Sequence, residues 1–219
     1  MSQVWTLLIR LDGPMQSWGY RSRHDYRDTA LEPTRSGVIG LICAAMGIAR
    51  GEDISRFDAI RMGVRVDREG RPERDYHTAL EVIKADGKGT DTVVSYRDYL
   101  ADAAFTVGLE SANKGLLNAI AEALENPMWP LFLGRKAFPL AVPMDRETGE
   151  FLPICSEPLE GSLEAHLIQG GVRVLVEDPN GERTQHDYPV CTGERLFLPR
   201  RLKAKFLKEG GNVPIEISP

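Results

Sequence analysis

The sequence predicts a mixed α+β fold, in which apolar strands alternate with two helices before a strand-rich ending. Three observations carry that reading. Residues 4–11 form an unbroken apolar-rich stretch ended by Asp12-Gly13-Pro14, the mark of a buried strand running into a turn. Leu116, Leu117, Ile120 and Leu124 fall on one face of a helix over residues 113–125, which Asn126-Pro127 stops. Two β-prone stretches, residues 78–83 and 90–95, flank Ala85-Asp86-Gly87-Lys88-Gly89, a hairpin with a glycine-rich tip.

The remaining elements fill in around these. Residues 14–33 form a long loop, and loops of that length in compact domains usually serve a function. Thr34 is the expected N-cap of a helix over residues 36–46, with Gly47 as its stop. That helix is apolar on nearly every face, so it must be buried. Strands are expected over residues 60–67, 103–109 and 138–142. The order strand, helix, strand, strand, helix, strand is the ferredoxin-like (RRM-type) arrangement, which does not specify a function. Residues 171–177 and 182–188 flank Asp178-Pro179-Asn180-Gly181, a type I turn signal, and a further strand is expected over residues 195–198. Pro143, Pro153 and Pro158 mark a boundary. Residues 1–145 are therefore read as the ferredoxin-like unit, with a hairpin inserted at about 75–97, and residues 146–219 as a small β-rich unit.

Composition excludes several classes of protein. The apolar content of 42% and charged content of 27% are those of an ordinary globular chain, and no run reaches the ~18 apolar residues of a membrane span. The expected location is cytoplasmic, with no membrane partner. Cys43, Cys155 and Cys191 are odd in number and form no CxxC, so they read as reduced and structural. No metal-ligand spacing or nucleotide-binding glycine pattern is present, and no metal or cofactor is expected. The net charge of −5 is unevenly spread: residues 195–208 hold six basic residues and no acidic one, and residues 1–50 carry a surplus of two basic residues. The rest of the chain then stands at −13. A basic face on an acidic body can still hold a polyanion, because each charge reaches only about 8–10 Å through salt. A solvated tail explains residues 195–208 equally well.

Two stretches carry the most chemistry. Gly13-Pro14-Met15-Gln16-Ser17-Trp18-Gly19 leaves the first strand, and Pro33-Thr34-Arg35-Ser36-Gly37-Val38-Ile39-Gly40 enters the first helix. Glycine admits a close backbone approach, free amides at a helix N-terminus accept an anion, and arginine forks onto phosphate. Arg35, with Ser36 and Gly37, is thus a candidate phosphate contact, the alternative being a pair with Glu32. Gln16 and Trp18 either meet a base or close the core.

With Arg74-Asp75-Tyr76-His77-Thr78, Tyr96-Arg97-Asp98-Tyr99-Leu100, Ala104-Phe105-Thr106-Val107 and Leu133-Gly134-Arg135-Lys136, these blocks follow one another over about the first 140 residues. In that order they resemble the Cas-five family of the RAMP superfamily, in the form found in type I-E CRISPR Cascade complexes. The last third matches only in size and strand-rich character. The resemblance implies a non-catalytic subunit of an RNA-guided surveillance complex in antiviral defence, one that binds and caps the 5′ handle of the CRISPR RNA. Its partners would be the CRISPR RNA, the backbone RAMP subunits and the large subunit, with target DNA reached through the complex. It also implies that the inserted hairpin is a thumb bearing on the RNA. Tyr76, His77 and Thr78 at one end of that hairpin and Arg97 at the other become RNA contacts. Arg135 and Lys136 either join them or remain a solvated charge pair.

Two other classes stay open. Relatives in other CRISPR subtypes cleave precursor RNA without metal, so His24 or His77 with Tyr20, Tyr26 or Lys136 gives a metal-independent endoribonuclease as the alternative. A ferredoxin-like interaction or ligand-sensing module, with no RNA at all, is compatible with the composition. On the RNA-capping reading, replacing Arg35 should weaken RNA retention and leave the fold largely intact.

Overall fold

The computed structural model describes residues 3–20, 25–140, 153–165, 172–191 and 195–207. In chain order the strands are β1 (Trp5–Asp12), β2 (Met15–Gln16), β3 (Tyr26–Arg27), β4 (Arg61–Arg68), β5 (Arg71–Ile83), β6 (Thr90–Ala101), β7 (Ala104–Ser111), β8 (Ile154–Cys155), β9 (Val172–Glu177), β10 (Arg183–Cys191) and β11 (Arg195–Leu207). The α-helices are α1 (Arg35–Met46), α2 (Lys114–Glu125) and α3 (Leu159–Glu164). The molecule is a mixed α+β structure in which sheet dominates.

Helix ends fall where their capping chemistry puts them. The Thr34 hydroxyl accepts from the Gly37 amide, 3.2 Å away, at the start of α1. Gly47 ends that helix in the left-handed region at φ 71°, its amide and that of Ile48 returning to Ala44 and Cys43 carbonyls. Asn113 caps α2 through its side chain, which accepts from the Leu116 amide at 3.0 Å.

The main sheet has seven strands in the order β10-β11-β9-β4-β7-β1-β8. Strand alternation divides β1 between two cores. Leu7, Ile9 and Leu11 face the main core with Val38, Ile42, Leu117 and Ile120 of α1 and α2, whereas Leu8 joins Leu159 and Leu163 of α3 with Val174 and Val176 on the other face. A second, four-stranded sheet runs β2-β6-β3 with β5 paired to β6. Its core is the β5–β6 hairpin, whose outer half stands in solvent: Leu80 and Ile83 are 72% and 74% exposed.

Three expectations need correction. No strand is formed over residues 138–140; Phe138 is buried, Pro139 makes an isolated bridge with Phe132, and residues 141–142 lie outside the described set. The edge beside β1 is taken instead by Ile154–Cys155. The turn at Asp178–Gly181 forms, with Gly181 N donating to Asp178 O at 2.9 Å, but it joins strands that are not neighbours. β11 lies between β9 and β10, because its thirteen residues are long enough to pair with both. Finally, β9 pairs directly with β4, so the strands of residues 172–207 extend the sheet of the first part; the expected boundary near 145 falls outside the described residues.

Candidate nucleic-acid interface

The motif residues divide into a buried frame and an exposed surface. Gln16 and Trp18 belong to the frame. The Gln16 amide donates to Ala103 O at 2.8 Å and to Leu11 O at 3.3 Å, and the Trp18 indole donates to Gln16 Oε1 at 3.1 Å. Trp18 is 1% exposed and its ring packs against α1, so close that a Cβ on Gly37 would come within 2.8 Å of it. Gly37 therefore makes room for a tryptophan, which leaves neither residue for a base or phosphate in this arrangement. Ser36 is half-buried, its hydroxyl 3.4 Å from that of Thr34.

Arg35 is a further correction. It is 1% exposed, and its partners are internal: Nη1 donates to Ile60 O at 2.9 Å and to Glu177 Oε1 at 3.0 Å, and Nη2 to Phe57 O at 2.9 Å. The anion at the start of α1 is the protein's own. Asp187 Oδ2 accepts from the Arg35 amide at 2.8 Å, filling the place expected for phosphate. Arg200, counted in the basic segment, closes this network through Asp187 and Glu177 and is 8% exposed. Glu32, the alternative partner considered for Arg35, pairs with Arg173 and Arg183 instead.

The exposed set gathers at the root of the hairpin. The antiparallel register sets Arg74 opposite Asp98, Asp75 opposite Arg97, Tyr76 opposite Tyr96 and His77 opposite Ser95, while β3 sets Tyr26 beside Tyr96 and Arg27 beside Arg97. Because neighbours along a strand point to opposite faces, the ribbon acquires two distinct sides. One carries Tyr26, Tyr76, Tyr96, Arg74 and Asp98. Its tyrosines are 43%, 61% and 46% exposed, and Tyr76 and Tyr96 meet edge to face at 5.5 Å. The Tyr26 hydroxyl donates to Asp98 Oδ2 at 2.5 Å, Arg74 Nε donates to Asp98 Oδ1 at 2.7 Å, and the Arg74 guanidinium lies 5.2 Å from the Tyr26 ring centre. The hydrogen bond to Asp98 raises the Tyr26 pKa, and the hydrogen bond from Arg74 holds Asp98 below its usual range. The other side carries Arg27 and Arg97.

Leu133-Gly134-Arg135-Lys136 is brought against this root by a backbone contact. Ser17 N donates to Leu133 O at 3.0 Å, and Gly134 sits at φ 87° with Ser17 O where a Cβ would stand, at 1.7 Å. No other residue type fits there. Arg135 then donates to Asp98 O at 2.7 Å and Arg27 O at 3.3 Å; Lys136 is exposed beside it. His77 is half-buried, with Nδ1 3.6 Å from Asp75, and Thr78 is exposed. His24 and His166 lie outside the described residues.

Sequence reasoning overlooked Tyr26, Arg27, Arg74 and Tyr96 as surface contacts. The signal was a recurrent dipeptide: Tyr-Arg occurs at 20–21, 26–27 and 96–97. In an extended strand such a pair sends an aromatic ring to one face and a guanidinium to the other.

The open face that RRM-type sheets use for stacked bases is occupied here. α3 covers it through Leu159 and Leu163, which touch Gly63 and Gly108. Beside α3, Arg65 donates to Asp67 Oδ1 at 2.5 Å, to Leu163 O at 2.9 Å and to Thr106 Oγ1 at 3.2 Å, and Arg10 also pairs with Asp67. Among the described residues no cluster of three metal-ligating side chains occurs, and no helix is long and apolar enough to cross a membrane.

These features define a sheet-based α+β protein that carries a long exposed hairpin with a tyrosine- and arginine-rich root. The family model described as CRISPR-associated protein (Cas_Cas5) matches residues 6–206, and the chain belongs to that family. It is 32% identical over 216 residues to the CRISPR system Cascade subunit CasD of Escherichia coli (strain K12), covering 89% of this chain and 92% of that one. Among solved structures it is similar to a chain of a CRISPR RNA-guided surveillance complex, at 31% identity and TM-score 0.76 over 95% of this chain and 91% of that one. It is also similar to a structure titled crystal structure of Cas protein, at 41% identity and TM-score 0.71 over 93% and 95% of the two chains.

Proposed function

We propose that the chain is a non-catalytic subunit of a Cascade-type CRISPR RNA-guided surveillance complex, one that binds and caps the 5′ handle of the CRISPR RNA. The observation that carries this reading is the hairpin root, where three exposed tyrosines share one face with Arg74, and Arg27 and Arg97 lie on the other. Unpaired RNA offers ring faces to stack and phosphates to neutralise, and this surface offers partners for both. Tyr76, Thr78, His77, Arg97, Arg135 and Lys136 keep their assignment as RNA contacts. Gln16, Trp18, Arg35, Ser36 and Gly37 are reassigned to holding that surface in place.

The order β8-β1-β7-β4 with α1 and α2 on one face supports a ferredoxin-like, RAMP-type core, since it reproduces the strand order of that arrangement. The projecting hairpin, on which Leu80 and Ile83 are apolar yet exposed, suits a neighbouring backbone subunit; the large subunit and, through the complex, target DNA complete the partners in a cytoplasmic assembly. A structural role also suits Tyr26. Its hydroxyl donates to Asp98 with a raised pKa, which disfavours its use as a base at neutral pH.

The test is to express the operon with this subunit tagged and to sequence the RNA that co-purifies. Molecules sharing one repeat-derived 5′ end are expected. RNA without a common end, or none, would contradict the proposal. Discrete cutting of repeat RNA by the purified chain would put the endoribonuclease reading first.

A further inference from the structure

Three guanidinium groups meet on the side of the hairpin root away from the tyrosines. Arg27 lies beside Arg97 in the parallel β3–β6 register. Arg135 is anchored over both by its bonds to Arg27 O and Asp98 O, with its guanidinium 5.6 Å from the Phe138 ring centre. Of the two local carboxylates, Asp98 is engaged on the far face and Asp75 lies on this side without pairing with an arginine among the described residues. Asp98 takes Arg74 and Tyr26 on the far face, and Asp75, though opposite Arg97 in register, lies 3.6 Å from His77 Nδ1. Among the described residues the side chain of Arg97 donates to the Ser95 hydroxyl, at 3.0 Å. Among the described residues none of the three arginines forms an ion pair with a carboxylate, in a protein where Arg10, Arg35, Arg61, Arg65, Arg173 and Arg200 all do. Partial burial, and then the charges of Arg97 and Arg27, lower the pKa of Arg135. The charges of Asp75 and Asp98 act in the opposite sense on Arg135 and offset this only in part, and like charges so gathered are unfavourable unless an anion completes them.

The geometry points to a phosphate clamp: Arg27, Arg97 and Arg135 together hold backbone phosphates of single-stranded RNA as it crosses the β3 edge of the ribbon. The inference rests on the RNA-binding reading and makes it more specific. Tyr26 and Arg27 are consecutive, so β3 presents an aromatic ring to one face and a guanidinium to the other. A strand crossing that edge stacks a base against the tyrosine side and turns its phosphates to the arginine side. Arg27 thereby becomes an RNA contact equal in standing to Arg97 and Arg135.

The test measures binding of the full chain to a labelled single-stranded oligouridylate across a salt series. Arg27→Gln, Arg97→Gln and Arg135→Gln are compared with Arg50→Gln, an exposed arginine outside this surface. Each clamp variant should bind about tenfold more weakly and lower the slope of log affinity against log salt by about 0.7, with no change for Arg50→Gln. A parallel arm uses tripolyphosphate, which should raise the Tm of the parent chain more than that of any clamp variant. If the parent binds RNA and the clamp variants keep its affinity and salt slope, the clamp is overturned and the RNA reading stands. If the parent binds no RNA, that reading fails and tripolyphosphate decides the clamp: arginine-dependent stabilisation retains an anion site, and equal shifts in all variants overturn it.

Discussion

Removing the Arg35 side chain leaves Glu177 and the fully buried Asp187 to share one guanidinium, that of Arg200, and withdraws donors from Ile60 O and Phe57 O. Breaking a buried pair by deleting one partner costs about 3–5 kcal/mol. Arg35→Ala should therefore lower the free energy of unfolding by about that amount in urea denaturation; a loss well under 1 kcal/mol would show the network to be dispensable. This replaces the expectation that the fold would tolerate the change. The sequence could not distinguish the two cases, because an arginine and glycines at a helix N-terminus look the same whether the anion is a phosphate or a carboxylate. Here the carboxylate comes from Asp187, 152 positions away. Asp98 makes the opposite point, since its partners are local to the hairpin root. Its pKa is lowered from 3.8, so its contribution is fully present above that value and is lost as pH falls through the depressed one. Hydrogen exchange at the β6 amides, corrected for its intrinsic pH dependence, should show constant protection from neutrality down to about pH 4 and loss only below it. Loss near pH 6 would mean another group holds the root together.

Elements whose limits depend on neighbouring residues were legible in the sequence. Thr34 and Gly47 cap α1 where their chemistry predicts, and the strand before Asp12-Gly13-Pro14 ends there. The insertion of β11 between β9 and β10 was not legible, because pairing at long range leaves no mark at the Asp178–Gly181 turn. The loop carrying Arg135 depends on one such long-range approach. Gly134→Ala places a methyl group on Ser17 O in a backbone conformation that alanine resists, and should cost about 3 kcal/mol. A melting temperature unchanged by that substitution would show that the loop can move aside. The outer hairpin has the reverse standing, because Leu80 and Ile83 stay largely exposed among the described residues. Replacing residues 81–92 with a short Gly-Ser turn should leave a folded monomer of unchanged stability that no longer joins a stable RNA-bound assembly. Normal assembly, with the handle–guide junction still protected from chemical probing, would reduce the outer hairpin to decoration.

At the scale of the whole molecule, each candidate surface is either closed or open. The sheet face that an RRM-type protein would offer carries α3 and the Arg10–Asp67–Arg65 network. The entrance to α1 is sealed by Asp187, and part of the basic C-terminal segment is drawn into the same buried network through Arg200. The hairpin root stays open, held by the Gln16–Trp18 frame beneath it and by Gly134 beside it, while Arg201 and Lys203 of the basic segment are exposed on β11. On the proposed function, RNA lies on this root. Photo-crosslinking of the assembled complex, followed by mass spectrometry of the RNA-linked peptides, tests it most directly. Crosslinks are expected at Tyr26, Tyr76 and Tyr96, with none in α1 or on the α3 face of the sheet. Crosslinks confined to α1 or to the strands beneath α3, with these tyrosines unmodified, would contradict it.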